Sequence, residues 1–527
     1  MSFLEAEALV CLRFTPNKAA LLYMNQQWNR RKFLSLATTS AVSSVLLDGL
    51  REPLNAATRK MNVLFISIDD LRPTLGCYGD PIVQSPNIDK LAARGMVFTR
   101  TYCQYAMSAV SRNSILTGRR PDTLDIYDFT TNFRTKLPNV VTLPQQFKRN
   151  GYHTEGMGKI FHTHHCNYDD VRSWSVPSWP PESRGPLTPK ELQECLGNEK
   201  SPQTALKTAQ ELSVARNRPP VTGAPANDRG LKQTTIANHA IERLSALKAA
   251  NKPFFLAVGI GVHLPFIQPK QYWDLYNPAQ FKLEDTKNLP MFAPYYAGNN
   301  ASELRSYSGV PKTGPIPDEL VRQITHAYYA RVSYADAQIG RVLNKLDQLG
   351  LREQTIVILW SDHGFHLGDH GLWAKHTNYE QATRSPMIVS VPGMKVVGQK
   401  CNALTELVDI YPSLCELASI PKPNGLEGTS FAPLLNNPKR PWKKGAFSQY
   451  RRKRMGLMGR SLRTARYRLT EWTNENNSNT SVIELYDYQT DPQETINIAG
   501  LQGNTQLVAN LKSQLRAGWR AALPPQT

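Results

Sequence analysis

Residues 62–70 read NVLFISIDD, an almost unbroken run of apolar residues that ends abruptly in two aspartates. An apolar run without alternating polar residues is typical of a parallel strand that is buried on both faces. The same pattern recurs at residues 254–259 (FFLAVG) and 355–360 (TIVILW), and more weakly at residues 152–157. These segments predict several buried parallel strands, each followed by polar residues.

Helical patterns lie between the predicted strands. The clearest covers residues 318–349, where apolar side chains keep a roughly helical spacing until Gly350. Strands that alternate with helices predict an α/β fold with a large, mostly parallel central sheet flanked by helices. Ligands bind such sheets beyond the carboxyl ends of the strands, so we expect the polar residues after each strand to meet there.

The two ends of the chain are predicted to lie outside this α/β region. Paired arginines, Arg30-Arg31, precede a short apolar stretch at residues 36–47 and small residues at 55–57. This order is typical of a twin-arginine signal peptide, predicted at residues 24–57 of a presequence covering residues 1–57. Such a signal implies a bacterial protein that is exported to the periplasm or the extracellular space.

The main domain is predicted to cover residues 58–440. Beyond it, residues 441–527 contain strand-like segments and a C-terminal helical pattern, which predict a smaller subdomain with an antiparallel sheet. A basic segment at residues 439–454 lies near this boundary. It is either a solvated face or a surface that contacts substrate.

The composition restricts the classes of partner. A net charge of +19 and a pI near 9.5 favour a polyanionic partner. We expect no nucleic acid, because the sequence has none of the common nucleic-acid-binding motifs, and no integral membrane association, because no apolar run could span a bilayer. Seven cysteines show no CxxC spacing, and their pairing stays open.

Adjacent carboxylates suggest a metal site. Asp69 and Asp70 repel each other after the first strand, and a cation would relieve that repulsion. Asp362 and His363 follow another predicted strand. Oxygen-rich sites of this kind suit Ca²⁺ or Mg²⁺ better than zinc, and these ligands suffice for about one ion.

A specific resemblance starts at residues 108–112 (SAVSR), which are followed by LTGR at residues 116–119. This pattern resembles the signature of the sulfatase family, in which a Cys or Ser is oxidised to formylglycine. Other motifs of the family are matched in the same order at residues 69–80, 158–162, 262–266 and 362–375. Residues 119–129 are similar to the iduronate-2-sulfatase branch.

The resemblance implies an alkaline-phosphatase-like fold, with Ser108 converted to formylglycine by a maturase. The hydrated aldehyde would attack the sulfur atom of a sulfate ester, and its second hydroxyl would allow sulfate to be expelled. One Ca²⁺, with Mg²⁺ as the alternative, would assist. Its ligands would be Asp69, Asp70, Ser108, Asp362 and His363.

The resemblance also assigns roles to cationic and imidazole side chains. Lys159 and Lys375 would grip the sulfate oxygens, and His263 would act near the departing alcohol. Arg112 and His162 would stabilise the hydrated formylglycine. The implied substrate is a 2-O-sulfated uronic acid in a sulfated polysaccharide or oligosaccharide.

Two positions depart from the family pattern. Val110 stands where maturing enzymes have Pro or Ala, and Gly261 stands near a position that often carries an additional His. Two alternatives therefore stay open. The first is a phosphomonoesterase or phosphodiesterase that uses unmodified Ser108, and the second is a catalytically silent protein that binds sulfated glycans.

Overall fold

The computed structural model describes residues 60–163, 165, 167–180, 218–223, 225–477 and 481–525. The predicted presequence and signal peptide lie outside the described residues, so they stay predictions. No helix in the described ranges has the length and apolarity needed to cross a membrane. Of the seven cysteines, the four that are described and free are Cys77, Cys103, Cys401 and Cys415.

The described chain contains strands β1 to β14 and helices α1 to α12. The strands are β1 Asn62–Asp69, β2 Met96–Tyr102, β3 His153–Gly158, β4 Phe254–Gly261, β5 Thr355–Ser361, β6 His366–Leu367, β7 Trp373–Ala374, β8 Arg384–Ser390, β9 Gln399–Cys401, β10 Thr405–Glu406, β11 Ala446–Arg452, β12 Leu457–Arg463, β13 Tyr467–Asn474 and β14 Ser481–Asp487. The helices are α1 Pro86–Ala93, α2 Ser108–Thr117, α3 Pro121–Leu124, α4 Phe133–Lys136, α5 Leu143–Arg149, α6 Lys232–Ala250, α7 Lys270–Trp273, α8 Asp318–Gln348, α9 Glu380–Thr383, α10 Ile410–Leu417, α11 Ala432–Asn436 and α12 Thr505–Ala517.

The central sheet has eight strands, in the order β10-β2-β8-β5-β1-β4-β3 with β9 paired to β2. Strand β1 pairs in parallel with both β4 and β5. Strand β8, which the sequence pattern did not predict, is antiparallel to its neighbours β5 and β2. The sheet is therefore mixed but mostly parallel, and the predicted fold class is confirmed.

Both faces of the central sheet are buried, which explains the uninterrupted apolar run in β1. Leu64, Ile66 and Ile68 face one apolar cluster, which is covered by α6 and α8. Val63 and Phe65 face the other cluster, which is covered by α2, α5 and α10. Side chains alternate between the faces of a strand, so both alternating sets must be apolar.

The longest predicted helix is confirmed as α8, which has 31 residues and ends two residues before Gly350. Gly350 has a φ of +64°, a left-handed conformation that glycine adopts at low cost. Residues 280–317 are rich in Pro, Asn, Ser and Gly, a composition that predicts a long surface loop. The structure agrees, since short 3₁₀ turns and an isolated bridge at Met291 are the regular structure found there.

A second sheet is formed by β11, β12, β13 and β14, which pair in sequence order and are all antiparallel. Helix α12 packs Leu511 and Leu515 against Leu462, Leu469 and Leu485 of this sheet. The predicted antiparallel sheet and C-terminal helix are confirmed, whereas the domain boundary at residue 440 stays a prediction.

Candidate active site

The polar residues that follow the central parallel strands meet at one edge of the sheet. Asp69 is the last residue of β1. The residue before it, Ile68, pairs with Ser361 at the end of β5, and Asp362 and His363 follow Ser361 directly. Lys159 follows β3, beside the end of β4. The predicted gathering is confirmed by the short distances between these side chains.

Ser108 is the first residue of α2 and is only 2% exposed. Met107 before it is extended, with φ −154° and ψ 127°, so the chain enters the helix directly at Ser108. The Ser108 hydroxyl donates to Asp69 Oδ1 at 3.0 Å and lies 3.1 Å from His363 Nε2. The positive end of the helix dipole favours negative charge on an oxygen at this position.

Arg112 lies one turn further along α2 and connects two of the carboxylates. Its guanidinium donates to Asp362 Oδ2 at 3.0 Å and to Asp69 Oδ1 at 3.1 Å. Nη1 donates to Ser67 Oγ at 2.9 Å and to the Lys159 carbonyl at 2.6 Å. Arg112 is fully buried, so in this structure its guanidinium orients the carboxylates and is not exposed to solvent.

The two adjacent aspartates have opposite electrostatic environments. Burial raises the pKa of Asp69, but the charges of Lys159 and Arg112 outweigh it and hold the pKa well below its usual value. Burial raises the pKa of Asp70 to about 6, opposed by Lys375 and reinforced by the Asp69 charge. Asp70 also has a φ of +59°, which turns the chain away from the direction of β1.

The donor set fits a hard divalent cation. Asp69, Asp362 and His363 offer ligand atoms that lie within 4.8 Å of one another. Asp70 Oδ1 lies 3.5 Å from His363 Nε2 and 3.1 Å from Lys375 Nζ, and the Lys375 ammonium donates its hydrogen bond to the other oxygen, Oδ2, so Oδ1 accepts none from the residues that the structure describes. A buried carboxylate oxygen without a hydrogen bond is costly, and a cation would remove that cost. His363 Nδ1 lies 2.8 Å from the Gly364 carbonyl, and this contact directs Nε2 toward Ser108 and the carboxylates.

Two lysines approach the carboxylates from different segments. Lys159 Nζ donates to Asp69 Oδ2 at 2.7 Å, and Lys375 Nζ lies 3.1 Å from Asp70 Oδ1. Lys375 also donates to Glu303 Oε1 at 2.9 Å. Burial lowers the pKa of Lys375, but Asp70 and Glu303 outweigh it and raise the pKa above its usual value. Lys375 therefore stays charged at neutral pH.

His263 lies just beyond the end of β4. Its Nδ1 is 2.9 Å from the Leu264 carbonyl, so in the neutral ring Nδ1 carries the proton and Nε2 is the acceptor. Burial lowers the pKa of His263 to about 4, against the opposing effect of Asp69. A Cβ at Gly261 would lie only 3.0 Å from His263 Cδ2, so this glycine leaves room for the ring.

His162 lies in a neighbouring aromatic group. Its Nε2 is 3.1 Å from His165 Nδ1, and its ring is 5.4 Å from that of Phe129. Phe129 in turn lies 6.1 Å from the ring of His376, next to Lys375. The structure thus connects His162 to the site through Phe129, and its predicted role beside Ser108 stays a prediction.

Two residues of the site were not found from the sequence. Glu303 accepts a hydrogen bond from Lys375, and its carboxylate lies 3.3 Å from His376 Nε2. It belongs to an irregular loop, where the sequence shows no periodic pattern that would point to a site residue. His376 directly follows Lys375, so its place in the motif was a usable signal. Its Nδ1 lies 2.8 Å from the Tyr450 hydroxyl of the second sheet.

The chain is similar to known proteins over most of its length. The family model described as Sulfatase matches residues 61–420, and that of the C-terminal region of N-sulphoglucosamine sulphohydrolase matches residues 368–520. Human iduronate 2-sulfatase is 35% identical, with 85% of this chain and 93% of the relative covered. The mouse enzyme is 34% identical, with 84% and 92% covered.

A solved phosphonate monoester hydrolase from Silicibacter pomeroyi shares the fold. It has a TM-score of 0.68 at 23% identity and covers 88% of this chain and 96% of its own. At that identity the likeness supports the alkaline-phosphatase-like fold alone. The family model and the iduronate 2-sulfatases go further: the chain is a sulfuric ester hydrolase and belongs to the sulfatase family.

Proposed function

We propose that this protein removes the 2-O-sulfate of an iduronate-type sugar in a sulfated polysaccharide or oligosaccharide, using formylglycine made from Ser108 and one Ca²⁺. The observation that carries the proposal is the position of Ser108 Oγ. It lies 3.0 Å from Asp69 Oδ1 and 3.1 Å from His363 Nε2, within a cluster that also holds two lysines. A nucleophile, cations and carboxylates are thereby gathered in one cluster.

Oxidation of Ser108 would remove two hydrogens and leave an aldehyde, whose hydrate presents two hydroxyls where the structure has one. A maturase would have to supply this step. Asp69 Oδ1, which accepts the hydrogen bond of the Ser108 hydroxyl, would accept a proton from the oxygen at position 108. The first position of α2 stabilises negative charge on that oxygen.

Asp69, Asp70, Asp362 and His363, with the modified residue 108, would hold the Ca²⁺. Its charge would lower the proton affinity of the nucleophile. The described residues contain one group of side chains that could hold a metal ion. A phosphoesterase of this fold is expected to use two metals, so this single group favours sulfate ester hydrolysis.

Lys159 and Lys375 would hold the sulfate group. Their ammonium groups contact Asp69 and Asp70, one on each. A sulfate group that contacts both would find charge-assisted donors on two sides. Nε2 of His263 is the acceptor nitrogen of that ring and is the predicted group for a proton shared with the departing alcohol.

The substrate class is supported by likeness and by charge. The relatives that share about a third of their residues with this chain are named iduronate 2-sulfatase. A net charge of +19 also favours an anionic polysaccharide.

We further propose export through the twin-arginine signal at residues 24–57, outside the described residues.

The test is mass spectrometry of the peptide that contains Ser108, from protein made together with a serine-type maturase, combined with an assay on a disaccharide bearing terminal 2-O-sulfo-iduronate. We expect loss of two hydrogens at Ser108 and release of sulfate. An unmodified serine with hydrolysis of a phosphate ester would establish the phosphoesterase alternative. An unmodified serine with tight glycan binding but no turnover would establish the silent binder.

A further inference from the structure

A cavity of about 1100 Å³ lies against the segment of chain that leads from Trp373 to Lys375. Its wall is formed by the loop at residues 283–316, the β6–β7 hairpin and the turn after β11. It shares structural elements with the site. Asn299 in its wall donates to the carbonyls of Trp373 and Lys375, and Tyr450 bonds to His376. The cavity therefore lies directly behind the segment that carries Lys375.

One side of the cavity carries positive charge without matching acids. Arg452 donates to the carbonyls of Tyr296, Ala297 and His376 and forms no ion pair with the described residues. Lys453 and Arg454 are exposed, and within the described ranges neither has an acidic partner. These three cations belong to the basic segment at residues 439–454, for which the sequence left two interpretations open.

The acidic residues of the wall do not cancel this charge. Asp318 pairs with Lys287 at 3.0 Å. Glu284 is the other carboxylate, and burial raises its pKa to about 7, with the Asp369 charge adding to the effect. Near neutral pH the cavity thus keeps an excess of positive charge toward the second sheet.

A buried histidine in the wall lacks hydrogen-bond partners. His370 is 2% exposed, and neither of its ring nitrogens forms a hydrogen bond with the residues that the structure describes. Leaving a buried polar group unpaired is costly, and a ligand that offers hydroxyl or anionic oxygens would remove the cost. His370 lines the cavity, and its ring has to turn before a nitrogen contacts a ligand there, because both nitrogens are buried.

The rim of the cavity carries exposed aromatic surface. Tyr295 lines the cavity and is 74% exposed, and nearby Phe292 is 71% exposed. Large aromatic side chains that stay exposed often mark binding sites. Aromatic rings offer flat apolar faces to the C–H face of a sugar, while cations bind its sulfate or carboxylate groups.

We propose that this cavity binds a second anionic sugar unit of the same glycan chain whose sulfate ester is hydrolysed at Ser108. The proposal rests on the proposed function, because the occupant is the neighbouring part of the substrate. Arg452, Lys453 and Arg454 bind its sulfate or carboxylate groups, His370 bonds to its oxygens, and Tyr295 stacks on its ring. The protein thereby prefers oligosaccharides to a single sulfated sugar.

The test is a binding measurement that needs no turnover. The Ser108→Ala protein is titrated by calorimetry with a heparin-derived tetrasaccharide and with a sulfated iduronate monosaccharide. Adding Lys453→Ser and Arg454→Ser weakens tetrasaccharide binding about tenfold and leaves monosaccharide binding within about twofold. Adding Tyr295→Ala instead weakens tetrasaccharide binding about fivefold, and this loss persists at high salt.

The matched control replaces by serine two exposed lysines that do not line the cavity: Lys395, which precedes β9, and Lys400 in β9. It removes the same charge but leaves tetrasaccharide binding within about twofold. Equal weakening by both pairs, or equal weakening for both ligands, would overturn the proposal. If the wild-type protein releases no sulfate, the proposed function fails, yet this titration still decides whether the cavity binds the glycan.

Discussion

This protein contains two buried clusters in which acidic and basic side chains lie together. The clusters differ in how completely the acids and bases are paired. The site cluster consists of Asp69, Asp70, Asp362, Glu303, Arg112, Lys159 and Lys375. The junction cluster, where α9 meets the second sheet, consists of Glu380, Glu494, Arg463 and Arg468. Complete pairing is typical of a structural ion-pair network, and incomplete pairing is typical of a binding site.

The junction cluster is closed. Arg468 donates to Glu380 at 2.6 Å and lies 2.9 Å from Glu494, while Arg463 donates to Glu380 at 3.2 Å. The Tyr488 hydroxyl contacts both carboxylates, at 3.1 and 2.6 Å. Two acids thus face two arginines, whose planar groups match carboxylates well.

The site cluster is left open. Its four carboxylates face three cations, and two of those cations are lysines, which release a partner more readily than a bidentate arginine. Asp70 Oδ1 has Lys375 Nζ at 3.1 Å but accepts no hydrogen bond from the described residues. The unmatched negative charge suits a divalent ion, and the lysines can turn to a sulfate group. Incomplete pairing is therefore the physical basis of binding at this site.

The largest expected effect is that of Ser108→Ala on turnover. Sulfate release should fall by at least about 10⁴-fold, because the nucleophile is lost. The melting temperature should fall by no more than about 2 °C, since one hydroxyl hydrogen bond is removed. Activity assays and thermal melts of the purified protein check both values. Sulfate release at more than a hundredth of the wild-type rate would exclude Ser108 as the nucleophile.

The opposite pattern is expected for Arg468→Met in the junction cluster. Arg468 is 1% exposed, and its loss leaves buried Glu494 without its cation. Removing one partner of a buried pair costs about 3–5 kcal/mol of the free energy of unfolding. Urea unfolding measures this loss, while kcat of the protein that remains folded should stay within about twofold. In the matched variant that also carries Glu494→Gln, part of the stability should return. A large fall in kcat at unchanged stability would mean that the junction cluster acts in catalysis.

A smaller effect is expected from the metal. At a free Ca²⁺ concentration one hundred times its Kd, the folded protein should gain about 2.7 kcal/mol. Melting curves with Ca²⁺ and with a chelator measure the gain. Asp362→Asn should remove it, whereas Arg468→Met should keep it. An equal Ca²⁺ response in wild type and Asp362→Asn would place the ion elsewhere.

The sequence was informative where burial leaves a regular pattern. Strands β1, β4 and β5 were predicted because both of their faces are covered, and the residues after β1 and β5 then had to meet. Strand β8 escaped prediction because Pro386 lies inside it. That proline lies between Ser385 and Met387, at a register shift against β2 where a regular ladder is interrupted.

Site residues could be predicted from the sequence where they lie at the ends of strands or helices. A site residue that comes from an irregular loop could not be predicted. Ser108, Asp69 and Asp362 lie at the ends of regular elements, and the structure brings them together. Glu303 reaches Lys375 only because the loop at residues 281–317 folds back, with Asn299 bonded to the Trp373 carbonyl. Tertiary contacts of this kind leave no periodic signal in the sequence.

The smallest expected effect is that of Gly261→Ala. Gly261 departs from the family pattern and lies next to His263 and Asp69. A Cβ there would lie 3.0 Å from His263 Cδ2 and 3.3 Å from His263 Nε2, so Gly261→Ala must displace the ring by a few tenths of an ångström. We expect kcat/KM to fall by about tenfold, because small misplacements of a catalytic group are costly, and the free energy of unfolding to change by less than about 1 kcal/mol. Gly79→Ala is not a suitable control, since its φ is +98°, whereas Gly500 has open space around it and an ordinary φ. Gly500→Ala should therefore leave both values unchanged. If Gly261→Ala keeps full activity, the exact position of the His263 ring is not critical for catalysis, and the site accepts a displaced ring just as it accepts incompletely paired charges.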